Sequence, residues 1–164
     1  MSFDLGNEAW EHTDPENLQG RILPGKYHIL IEGVEDSHDD YVEVSYQVLA
    51  GDPKGQEGQT GSERLYRSPK SVKRVLMLAL ATGLVTQDQL IEWKKAGKTN
   101  LPLDLRKAEG KQICAELAKN DKGYVNWTFG GIYGVDDPAA KDIPRNDGML
   151  ATANRGGSAD DLDF

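Results

Sequence analysis

Two runs of this 164-residue chain interleave cations with aromatic rings: Arg64, Tyr66, Arg67, Lys70, Lys73 and Arg74 in the first, and Lys107, Lys111, Trp127, Phe129 and Tyr133 in the second. That mixture suits single-stranded nucleic acid. Guanidinium and ammonium groups follow a phosphate path, and ring faces stack unpaired bases at about 1–3 kcal/mol each without choosing among them. Other fates compete for the same residues. Trp127 and Phe129 share strand parity with Val125, so at least one of them is expected to fill a core. Lys70, Lys73 and Arg74 also suit the solvated face of an amphipathic helix.

Catalytic patterns are sparse. The glycines between Gly51 and Gly61 lack the Gly-Lys-Ser/Thr ending that places a lysine on phosphates and a hydroxyl on magnesium, so they read as loop residues. Glu109-Gly110-Lys111 resembles half of a metal-dependent nuclease site, with Glu109 on the metal and Lys111 polarising the nucleophile. The earlier strand-end aspartate such a site needs is missing, since Asp104 is too near in sequence. Glu35, Asp36, Asp39 and Asp40 lack calcium-loop spacing and read as a solvated loop. One cysteine, Cys114, excludes an internal disulfide, and His12, His28 and His38 form no metal-ligand cluster, so no cofactor or metal is expected.

The chain ends Asp160-Asp161-Leu162-Asp163-Phe164, three acids around a leucine and a terminal aromatic. Leu162 and Phe164 suit a small apolar pocket on a partner protein, while the acids and the terminal carboxylate meet basic residues at its rim. The preceding residues 151–158 have no periodicity and read as a flexible tether. The formal charge is −8, but it is unevenly spread: residues 1–20 hold five acids and no Lys or Arg, and residues 135–164 hold seven acids against three bases. Those ends take twelve of the 27 acids and three of the 19 bases, leaving 15 acids and 16 bases for residues 21–134. A near-neutral body can hold a basic groove, and a detachable acidic tail can compete with phosphate for it.

The elements that must position these residues follow from periodicity. Lys26–Gly33 alternates as a strand with Tyr27, Ile29 and Ile31 on one face. Tyr41–Leu49 alternates as a second, with Val42, Val44, Tyr46 and Val48 inward and Tyr41 outward. A third, Ser62–Arg67, turns Leu65 inward and Arg64 and Tyr66 outward. Pro69 opens a helix through Leu80, Thr86 caps a second over Gln87–Lys95, and Lys111–Ala118 with Gly123–Phe129 forms a final antiparallel pair around Asn120-Asp121. Cys114 should be a small strand residue. The fold class is therefore mainly β with inserted helices: a five-stranded Greek-key barrel of oligonucleotide-binding (OB) type, with two helices between strands 3 and 4. The chain divides into an acidic segment (1–20), a nucleic-acid-binding domain (21–134) and a flexible, mostly disordered acidic tail (135–164). No run approaches the roughly twenty apolar residues of a membrane helix, and the start has no basic region, so a cytoplasmic protein is expected.

Phe3-Asp4-Leu5, Leu23-Pro24-Gly25-Lys26-Tyr27, and Val42–Leu49 running into Gly51 and Lys54-Gly55 resemble a family of small phage-encoded proteins associated with replication and recombination. The resemblance spans about residues 2–132. It implies a single-stranded DNA-binding OB barrel without catalytic activity, working in the host cytoplasm. The terminus separately resembles the acidic, Phe-ended tails of bacterial and phage single-stranded DNA-binding proteins, which recruit replication, recombination and repair enzymes. Leu162 departs from that pattern, and no proline precedes Phe164. The expected function is to coat single-stranded DNA with little sequence preference and to recruit partner proteins through the tip; a homo-oligomer is compatible with this. The rivals are an acidic nucleic-acid mimic or adaptor that binds no DNA, and a nuclease using Glu109 and Lys111.

Overall fold

The computed structural model describes residues 2–11, 13, 15 and 21–149. Period-two alternation sets the sheet: β1 (Gly25–Glu35), β2 (Tyr41–Asp52), β3 (Thr60–Tyr66), β4 (Gln112–Lys119) and β5 (Val125–Gly134) are all antiparallel, in the order β3-β2-β1-β4-β5. The five expected strands are present. Tyr27, Ile29, Ile31, Val42, Val44, Tyr46, Val48 and Leu65 point into one core, joined from β4 and β5 by Ile113, Ala115, Leu117, Trp127 and Ile132. Register shifts after His28 and after Ile31 in the β1–β2 pair let the sheet curl into a half-barrel.

Two helices follow β3 as the apolar spacing requires. The first, α2 (Val72–Ala81), begins three residues later than a start at Pro69 and brings Leu78 and Ala79 into the core between β3 and β5. The second, α3 (Gln87–Lys95), opens on a reciprocal cap in which the Thr86 hydroxyl accepts the Gln89 N–H and the Gln89 side chain accepts the Thr86 N–H. A short helix in the N-terminal segment, α1 (Asn7–Glu11), has no counterpart in the sequence reading and buries none of its residues.

The packed body extends past the boundary expected at residue 135. Ala140 and Ile143 are buried with Cys114 on the outer side of the sheet, with Tyr133 and Val135 packed beside them. The reason lies in β1: His28 is buried on the face opposite Ile29, and its Nδ1 accepts the Asn146 N–H at 3.0 Å. Gln112 of β4 adds a bond from its amide nitrogen to the Met149 carbonyl at 2.9 Å. Residues 135–149 are thus a strap over β1 and β4, and the flexible-tail expectation is corrected for them. The tip, Asp160 to Phe164, lies outside the described residues. No helix among the described residues is long and apolar enough to cross a membrane.

Candidate nucleic-acid interface

The edge strands β3 and β5 approach each other but do not pair; side chains bridge them. Glu63 has the inward parity of Leu65, and Arg74 lies one helical turn before the core residue Leu78, so both are driven inside. The Trp127 N–H donates to Glu63 Oε1 at 2.9 Å. Arg74 Nη1 donates to the Trp127 carbonyl at 3.0 Å and lies 3.6 Å from Glu63 Oε2, while Nη2 donates to the Arg64 carbonyl at 3.1 Å. The pair therefore satisfies Trp127 backbone groups that a continuous ladder would have used. Burial pushes the Glu63 carboxyl up to about 7, although the Trp127 N–H and the Arg74 charge both work to lower it.

Over this seam runs a groove of about 820 Å³ with Glu63, Arg74 and Trp127 in its floor. Arg64, Tyr66, Lys119, Lys122, Tyr124 and Phe129 line it, which interleaves three cations with three rings. Tyr124 is 66 % exposed and Phe129 56 %, so their faces are accessible for stacking. Trp127, at 1 %, is a core residue against Tyr46, with ring centroids 5.4 Å apart. Trp127 and Phe129 part company because β5 bulges. Ala115 pairs with Ile132 and Leu117 with Trp127, so Thr128, Phe129, Gly130 and Gly131 stand against Glu116 alone. Gly131 passes so close to Glu116 and Thr128 that a Cβ would not fit there. The bulge carries Phe129 outward, its ring 4.9 Å from the Arg74 guanidinium carbon.

The other expected binding residues separate into groups. Tyr41 stacks on His38 at 3.9 Å, meets Tyr66 edge-on at 5.7 Å, and has the Arg64 guanidinium 4.6 Å from its ring centre, so its faces are engaged within the protein. Arg67 donates to the Asp36 and His38 carbonyls and thereby fixes the β1–β2 loop. Lys70 and Lys73 are exposed around the start of α2 and do not line the groove, and Arg74 is turned into the seam instead of toward solvent. Lys111 stands just before β4, a strand length of about 25 Å from Lys119 at its end, and Lys107 lies in the 3-10 turn Leu105–Ala108 before it; neither lines the groove. Tyr133 packs on the opposite side, under the strap.

Two carboxylates weighed for the nuclease reading have structural partners. Glu109 accepts the Val34 N–H at 3.1 Å, and Asp104 accepts the Arg106 N–H at 3.2 Å to cap the 3-10 turn Leu105–Ala108. Among the described residues no three His, Cys, Asp or Glu side chains converge as metal ligands.

Sequence reasoning missed Lys119, Lys122 and Tyr124, although they flank the Asn120-Asp121 turn it had placed. Asn120 Oδ1 accepts the N–H groups of both Lys122 and Tyr124, and that closed turn carries all three to the rim of the groove. Glu63 was missed as well; its signal was an acid at an inward strand position. No protein-family model and no curated protein matches the chain.

Proposed function

We propose that residues 21–149 are an OB-type barrel that binds single-stranded DNA in the groove over the β3–β5 seam, with little sequence preference and without catalysis. The observation that carries the reading is the alternation of Arg64, Lys119 and Lys122 with exposed Tyr66, Tyr124 and Phe129 along one groove. Three cations supply a salt-sensitive attraction to phosphate, and three rings supply stacking that any base can use. The strand order and the position of the groove, between β3 and the β4–β5 turn, support the barrel assignment and fit the usual binding side of such barrels. In this reading Asp160 to Phe164 recruits replication, recombination or repair proteins once the body is on DNA, as the tail resemblance implies.

A mobility shift of labelled oligothymidylate at two salt concentrations, with and without magnesium, tests it. The expected result is a shift that weakens as salt rises, with the oligonucleotide left intact in magnesium. Absence of a shift at low salt overturns the proposal in favour of the mimic or adaptor, and a shortened oligonucleotide in magnesium overturns it in favour of the nuclease.

A further inference from the structure

Residues 2–11 leave large apolar side chains exposed. Phe3 is 86 % exposed and Trp10 55 %, with Leu5 exposed between them. Bonds within the segment are local: Asp4 accepts the Gly6 N–H, the Trp10 N–H reaches the Gly6 carbonyl, and the Thr13 hydroxyl donates to the Ala9 carbonyl. Asp4, Glu8 and Glu11 alternate with the apolar residues, and residues 1–20 contain no Lys or Arg. The segment is thus opposite in charge to the groove and alike in its aromatic content.

Connectivity places the two together. The chain joins the barrel at Ile22, whose Cδ1 lies 3.1 Å from where a Cβ on Gly61 would stand, and the Leu23 N–H is held by Gln56 Oε1 at 3.2 Å. Gly61 adjoins Ser62 at the rim of the groove, so the N-terminal segment is tied to the lip of the site. The eleven residues from Glu11 to Arg21 can span at most about 36 Å, which bounds the reach of the segment. A connection no longer than that favours the groove of the same chain over that of another copy.

We propose that residues 3–10 dock in the groove of their own chain, with Phe3 and Trp10 on its rings and the acids toward Arg64, Lys119 and Lys122. The structure displays the undocked arrangement, and docking exchanges with it. The further step, that DNA must displace the segment, rests on the DNA-binding reading above; the docking itself does not.

The native thiol leaves a clean probe. Cys114 is buried and its thiol is pushed up to about 11 by burial, so a Ser2→Cys variant of the full chain offers one readily labelled cysteine for a nitroxide. Without DNA, the amide signals of residues 62–66 and 119–129 should broaden, equally at all protein concentrations. Added oligothymidylate should restore them. In unlabelled protein, Phe3→Ser with Trp10→Ser should tighten oligothymidylate binding by roughly threefold at low salt. Absence of broadening overturns the docking, and broadening that grows with protein concentration overturns it in favour of a second copy as host. Broadening that persists because the oligonucleotide does not bind sustains the docking and removes the DNA-binding reading alone.

Discussion

The sheet is completed in two places by side chains, and the two places use opposite chemistry. Under the strap the contact is neutral and closed: His28 Nδ1 accepts from the Asn146 backbone, so Nε2 carries the proton to Gln112 Oε1 at 2.8 Å, and the Gln112 amide goes on to the Met149 carbonyl. At the seam the contact is ionic and open on one side, with Arg74 and Glu63 spanning a gap between strands that do not pair. Neutral groups each find a partner and leave nothing for a ligand. The ionic bridge needs long side chains, and the gap they span is the groove. The difference teaches where binding chemistry can reside: over the seam, not under the strap.

The largest effect is expected at Glu63. Above about pH 7, where Glu63 is ionised, Glu63→Ala leaves Arg74 buried without its counter-charge and should cost about 3–5 kcal/mol in urea unfolding, whereas Glu63→Leu with Arg74→Met should cost far less. A small loss from Glu63→Ala would show the seam to be no ionic bridge. The pH dependence comes next, and the two regions should pull in opposite directions. The Glu63 carboxyl rises from 4.5 to about 7, so the folded chain holds more protons than the unfolded one across that window. Its contribution is full below about 4.5 and is lost as pH rises to about 7, by at most about 3 kcal/mol; Glu63→Gln should flatten that slope. His28 is lowered from 6.5, mainly by burial, so its contribution is present above 6.5 and is lost as pH falls below it. The protection of the Asn146 amide, taken relative to its intrinsic exchange rate at each pH, should therefore fall on acidification. His28→Leu should cost about 1–3 kcal/mol by leaving the Asn146 N–H unpaired, and should speed exchange across the strap without changing oligothymidylate affinity. Smallest of all, Lys107→Ala and Lys111→Ala should leave both stability and DNA affinity nearly unchanged, since both are exposed and neither lines the groove. A large loss of affinity in either variant would move the site.

Much of the sheet was legible because alternation is a local signal: Tyr27, Ile29 and Ile31, and Val42 through Val48, fall inward as their parity requires. The Thr86 cap was legible for the same reason. The candidate site was readable only in part, because it depends on contacts distant in sequence. Parity alone could not divide Trp127 from Phe129, since the β5 bulge that separates them arises against Glu116. Arg74 read as a surface cation until Glu63, also at an inward position, supplied its partner. The strap was hidden because Ala140 and Ile143 make a weak apolar pattern, and the anchor that orders them, His28, lies 118 residues before Asn146.

The central claim is that the groove rings and cations hold single-stranded DNA, and titrating fluorescent oligothymidylate into the Tyr124→Ala, Phe129→Ala and Lys119→Ala variants across a salt series tests it most directly. Each ring variant should lose about 1–3 kcal/mol in binding with its unfolding free energy nearly unchanged. Lys119→Ala should show a salt dependence shallower by about one phosphate contact. Wild-type affinity and an unchanged salt slope in all three variants would contradict the claim.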